Sequence, residues 1–148
     1  MKILIIYKSR HKMNTEKIAK AMAEEINADL KKIEEVKIDD ILKYDIIGFG
    51  SGIYAGKMHK KIYRFISKIP SSKMNVFIFC TSGSGKYEEK HEVRDRLLEK
   101  GYNVIGEFSC PGEFSPFGFN VDKKGHPDEK DIKDAREFIK NICGENIK

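Results

Sequence analysis

Short runs that are apolar at every position alternate along the chain with segments whose apolar residues recur at helical spacing. Ile3 to Ile6 is the first such run, Ile46 to Gly50 a later one and Val76 to Cys80 another. Runs of this kind suit strands covered on both faces, as in a parallel sheet. Ala28 to Val36 and Val104 to Cys110 carry more polar residues, which suits the edges of that sheet. Between the runs, Ile18, Met22 and Ile26 lie four apart. Ile62, Phe65, Ile66 and Ile69 form a second stripe, Val93, Leu97 and Leu98 a third, and Ile132, Ala135, Ile139 and Ile142 a fourth. The last is entered through Pro127, Asp128 and Glu129, residues that favour a helix start. Five strands and four helices in alternation predict repeated βαβ units and an α/β fold with helices on both faces.

Length narrows this to one domain, residues 1–148, enough for a single core. The longest apolar runs fall far below the ~20 residues of a membrane span and below the ~7 to 15 of a signal-peptide core. A cytoplasmic address is expected, and three cysteines, Cys80, Cys110 and Cys143, without CxxC spacing fit reduced thiols there. Cys80 and Cys110 fall near the ends of neighbouring strands, and a place in the core is preferred to a redox pair. Net charge is +5, but the lysines are interleaved with Glu and Asp, and no nucleic-acid-binding motif is present. His11, His59, His91 and His126 share no ligand spacing, so no metal is expected.

In an open parallel sheet, ligands bind beyond the carboxyl ends of the strands where strand order reverses. Four segments follow strands here: SRHKMNT, SGIYAG, TSGSGKY and PGEF. The first leads into a helix whose unpaired N–H groups and dipole favour a phosphate. Ser9, Asn14 and Thr15 add donors, and Lys8, Arg10, His11 and Lys12 add charge, although for the cations alone solvated surface is the preferred reading. Asn14 can also cap that helix while Met13 packs on Ile18. In the second segment Tyr54 sits between small residues, able to stack on a planar ligand or to cap the core edge. Thr81 to Gly85 offer hydroxyls and backbone donors with little bulk. SGSGK is not a P-loop: Cys80 stands at the first glycine position and Tyr87 follows Lys86, so no hydroxyl is placed for magnesium. A GxGxxG fingerprint after the first strand is absent as well.

Taken in order, SRHKMNTEKIA, FGSGIYAGKMHKK, TSGSGKY and GEFSCPGEF with KKGHPDEKDIKDAREF resemble the flavodoxin family over nearly the whole chain. The resemblance implies a doubly wound, five-stranded parallel sheet of order 2-1-3-4-5 with FMN at the switch between strands one and three. It implies that Ser9, Asn14 and Thr15 hold the phosphate with Arg10, His11 and Met13 in the same loop. Tyr54 would flank the ring beside Ser51, Gly52 and Ile53, and Thr81, Ser82, Gly83, Ser84 and Gly85 would line its pyrimidine side, with Pro111 after the fifth strand. Two departures are plain: Met13 stands where the family carries glycine, and the chain is basic where typical members are acidic. The second implies a less negative reduction potential, because positive charge stabilises added electrons.

Three functions follow. The first is an FMN-binding electron carrier, without catalytic residues, that serves redox partner proteins of acidic character as a monomer or homodimer. The second is an FMN-dependent NAD(P)H:quinone-type reductase, for which the long Pro111 to His126 connection with Phe114, Phe117 and Phe119 would supply a wall; a flap over the core is preferred. The third is a flavodoxin-fold binding module that has lost FMN, for which Met13 is the support.

Overall fold

In the computed structural model, residues 1–9, 14–54, 57–82, 92–111 and 127–147 are described. Strand β1 (Ile3–Lys8) is buried through Tyr7 and lies inside the sheet. It pairs in parallel with β2 (Asp29–Lys32) on one side and β3 (Ile46–Tyr54) on the other. Beyond β3 come β5 (Asn75–Ser82) and β6 (Asn103–Pro111), also parallel. A two-residue strand, β4 (Lys57–Met58), turns back along the end of β3, pairing Ile53 with Met58 and Tyr54 with Lys57. The order is β2-β1-β3-β5-β6, the expected 2-1-3-4-5 once β4 is set apart. No periodicity announces β4, because two residues are too few to carry one.

Helices α1 (Asn14–Ile26) and α4 (Glu129–Ile147) cover one face, and α2 (Lys60–Lys68) and α3 (Glu92–Glu99) the other. Strand alternation sorts the core accordingly. Ile3, Ile5, Tyr7, Phe77 and Phe79 meet α1 and α4, while Leu4, Ile6, Ile47, Phe49, Val76 and Ile78 meet α2 and α3. On the first face β3 contributes Ile46 and then two glycines, Gly48 and Gly50. A Cβ at Gly48 would stand 2.3 Å from the Phe77 ring tip, and one at Gly50 2.1 Å from that of Phe79. Two phenyl rings of β5 thus occupy the space that β3 leaves open.

The edge strand is shorter than the expected 28–36. After Lys32 the chain turns into 3-10 segments, Ile33–Glu35 and Ile38–Lys43. Glu35 Oε1 accepts the Lys32 amide at 2.8 Å and diverts it from the ladder, while Ile33 and Ile41 anchor the segments in the core. Leu98, placed in the α3 stripe, is 50% exposed, since Val93 and Leu97 already fill the inward side and the next residue is turned away. At α4, Asp128 and Asp131 exchange side-chain-to-amide bonds of 3.0 and 2.9 Å, a reciprocal cap of the kind that the acidic entry suggested. Arg136 reaches back to Glu24 at 2.8 Å and so clasps α4 to α1.

Candidate functional site

The carboxyl ends of β1, β3, β5 and β6 share one edge of the sheet, and the register sets their last residues in rows. Lys8 lies beside Ser51, Gly52 beside Thr81, Thr81 beside Cys110, and Ser82 beside Pro111. Asn14 and Thr15, the first residues of α1, come to this edge and are 7% and 2% exposed. The Thr15 hydroxyl meets that of Thr81 at 2.9 Å, joining the start of α1 to the end of β5. Two hydroxyls that share one hydrogen bond spend one of their two protons. The other O–H of this buried pair has no acceptor among the described residues.

Ser9 follows β1, and its Oγ accepts the amide of Glu16 at 3.4 Å, in the first turn of α1. The Glu16 carboxylate accepts the Tyr7 hydroxyl in a short bond and lies 3.8 Å from Lys20. Burial, the bond to Glu16 and nearby carboxylates push the Tyr7 phenol well above its ordinary range, so it remains a donor. Lys8 bonds Glu34 at 2.7 Å, and Lys61 lies 3.5 Å from the same carboxylate. Burial alone would raise the pKa of Glu34; the Lys8 hydrogen bond and the two lysine charges outweigh it and hold the group below the usual carboxylate range. Tyr7, Lys8, Ser9, Glu16, Lys32 and Glu34 line a small polar cavity of about 100 Å³ beneath the start of α1.

Ser51 is fully buried, and its hydroxyl donates to Gly52 O at 2.6 Å while accepting the His59 amide at 2.8 Å. It therefore ties the end of β3 to the start of α2. His59 continues the chain of contacts, its Nδ1 accepting the Lys61 amide at 3.1 Å as the N-cap of α2. Gly52 is buried and Ile53 packs against the α2 side of the core. Tyr54 ends β3, and its side chain lies outside the described residues, as do Arg10, His11, Met13, Gly83, Ser84 and Gly85. Ser82 is 6% exposed and Pro111 is half-buried. The long Phe-bearing connection also falls outside the described residues from 112 onward.

Sequence reasoning passed over Tyr7, Glu16 and His59. The available signals were a Tyr at the last inward position of β1, an acid in the first turn of α1, and a His directly before a lysine-led helix. The three cysteines are free and buried. Cys110 joins the α1/α4 core and Cys80 faces the other way by strand alternation, so the two do not pair. Burial pushes the Cys110 thiol up to about 12. Among the described residues no cluster of His, Cys, Asp and Glu could hold a metal ion, and no helix is long and apolar enough to cross a membrane.

A family model described as a flavodoxin domain matches residues 4–114. An uncharacterised protein of Methanocaldococcus jannaschii is 49% identical over 148 residues, covering 96% of this chain and 98% of that one. The flavodoxin-like domain-containing protein BilS of Clostridioides difficile is 27% identical over 171 residues, covering 96% of each. Among solved structures, a flavodoxin from the domain Archaea superposes with a TM-score of 0.77 at 17% identity over 98% of both chains. Oxidised flavodoxin 2 of Bacillus cereus does so at 0.71 and 20% identity, over 98% of this chain and 99% of that one.

Proposed function

The chain belongs to the flavodoxin family, and from that premise we propose that it binds FMN without covalent attachment at the carboxyl edge of its sheet and serves as an electron carrier. The observation that carries this reading is the buried Thr15–Thr81 pair, one of whose O–H groups meets no acceptor among the described residues. A phosphate is rich in acceptors and brings no competing donor when fully ionised, so the donor set suits it. Ser9 and the first-turn amides of α1 would join Thr15 in holding that group, with the helix dipole favouring its charge. Gly52, Thr81 and Ser82 would flank the ring, where their small size excludes little but water. Bound flavin supplies one- and two-electron redox chemistry; the chain binds it, orients it and sets its electrostatics. Ser51 holds β3 and α2 fixed beneath that site through Gly52 O and the His59 amide. Three buried thiols support an address in a reducing compartment such as the cytoplasm.

The test is titration of the purified apoprotein with FMN, followed by flavin fluorescence and melting temperature. Tight binding is expected, weakened about 10- to 100-fold in Thr15→Val and Thr81→Val, the loss of one hydrogen bond to a charged group of about 1.5 to 3 kcal/mol. Unquenched fluorescence and an unmoved melting temperature would leave a binding module without flavin. Sustained NADH or NADPH oxidation by the loaded protein would make it a reductase instead.

A further inference from the structure

Helix α2 departs from the way the rest of the chain distributes charge. The other helices interleave acids with bases, and α1 and α4 set opposite charges one turn apart, as Glu16 with Lys20 and Lys130 with Asp134. α2 carries Lys60, Lys61, Arg64 and Lys68 and no acid, four cations against a net charge of +5 for the whole chain. Lys60, Arg64 and Lys68 follow at four-residue intervals and are exposed. They therefore stand in a line on one face, about 6 Å apart along the axis. None has an ion-pair partner among the described residues. Folding gains little from this arrangement, in which only Lys68 stands in the last turn, where the helix dipole favours a cation. Like charges one turn apart repel, and Lys60 and Lys61 occupy the first turn, where the helix dipole disfavours cations.

The position of the line gives it a use. α2 follows β4, which pairs with Ile53 and Tyr54 at the carboxyl end of β3, so the line begins beside the proposed flavin site. There a groove of about 530 Å³ opens between α2 and α3, lined among others by Lys57, Lys60, Tyr63 and Arg96. Among the described lining residues its one acid is Glu92, 3.6 Å from Lys57. Arg96 covers one face of the Tyr63 ring at 4.8 Å, which competes with any base that would stack on this tyrosine. The exposed large apolar residues among those described, Met1, Leu42 and Leu98, lie off α2, which gives the helix no apolar border to enter a lipid surface.

We propose that this cationic ridge is the docking face for an acidic redox protein, whose carboxylates align with Lys60, Arg64 and Lys68. The inference rests on the electron-carrier reading. Each transfer would move one electron from the partner's reduced iron–sulfur cluster to the bound flavin, and the ridge sets the approach.

The probe is a purified two-cluster ferredoxin of acidic character, reduced and mixed with the flavin-loaded protein in a stopped-flow instrument. Binding is measured in parallel by calorimetry with the apoprotein. The wild-type rate constant should fall at least about tenfold from low to high salt. Lys60→Glu/Arg64→Glu/Lys68→Glu should slow transfer about 10- to 100-fold at low salt and remove most of the salt dependence. The milder Lys60→Gln/Arg64→Gln/Lys68→Gln should fall between, with circular dichroism confirming the fold of both. A control that removes the same charge from the opposite face, Lys130→Glu/Lys133→Glu/Lys140→Glu, should change the rate less than about threefold, as position rather than net charge governs docking. FMN affinity should be unchanged in all of them. Failure of the wild type to take up FMN would overturn the carrier reading alone, because calorimetry still tests the ridge. Equal losses in ridge and control variants, an unchanged ridge variant, or displacement of ferredoxin by a short DNA duplex or phosphatidylserine vesicles at matched charge would overturn the docking face.

Discussion

Replacing Gly50 by Ala would set a methyl group 2.1, 2.2 and 2.6 Å from three ring carbons of Phe79. Carbon atoms pack at about 3.5 to 4.0 Å, so the ring would have to retreat by more than an ångström. It has nowhere to go. Phe79 is fully buried and stacks on Phe77 at 6.2 Å between centroids, and Phe77 in turn meets Phe138 of α4 at 6.2 Å. Overpacking of a well-filled core costs about 1 to 3 kcal/mol, and the size of the overlap places this substitution at the upper end. The entropy that glycine spends on folding returns about 0.5 to 1 kcal/mol, leaving a net loss of about 2 kcal/mol. For a chain of this length that corresponds to a fall in melting temperature of roughly 4 to 8 °C. Urea denaturation of Gly50→Ala, Phe79→Leu and the double variant measures it directly. The smaller Leu opens room for the methyl, so the double variant should be more stable than the sum of the single losses predicts, by about 1 kcal/mol. A Gly50→Ala loss below about 0.5 kcal/mol, or strict additivity in the cycle, would refute the account of β3 as a strand hollowed to receive two rings.

Two further outcomes follow from the hydrogen bonds. Ser51→Ala strips the partner from the buried His59 amide, and should cost about 1 to 3 kcal/mol in denaturant unfolding while lowering amide exchange protection at the start of α2. Burial first, then the 2.7 Å hydrogen bond to Asp29, raises the Tyr44 phenol to about 12. The folded state then keeps a proton that the unfolded state gives up, so this contribution is complete below pH ~10 and is lost as pH rises toward 12. Tyr44→Phe should flatten the fall in stability over that window relative to wild type; parallel pH profiles of the two proteins would contradict the assignment.

The strands and helices were legible because buried parallel strands are apolar at every position, as in Ile3–Ile6 and Val76–Cys80, and helices between them read at a different period, while the order of the strands came from the resemblance to flavodoxins. What escaped reading depends on register and distance. Gly48 and Gly50 look alike in the sequence to any loosely packed strand glycine until β5 brings Phe77 and Phe79 alongside. In the sequence Thr15 and Thr81 are unrelated, one expected near a phosphate and the other along a ring. Their direct contact joins positions 66 apart in the chain. Ser51 drew notice as a small residue at a strand end, but its bond to His59 needs the reversal through β4, which two residues do not betray. The polar 28–36 segment read as a strand edge throughout because Glu35 looks like a surface residue until its carboxylate takes the Lys32 amide.

The clasp of Arg136 on Glu24 spans 112 residues, and it ties the order of assembly to the direction of synthesis. All five parallel strands are made before α4 leaves the ribosome, and helices α2 and α3 can close their face as soon as β6 has paired. The other face waits: Ile5, Phe77 and Phe79 have only α1 above them until Ala135 and Ile139 arrive. A nascent chain therefore passes through a stage with one wall finished and one open. The interval between β6 and α4 is when chaperone capture or misassociation would fall.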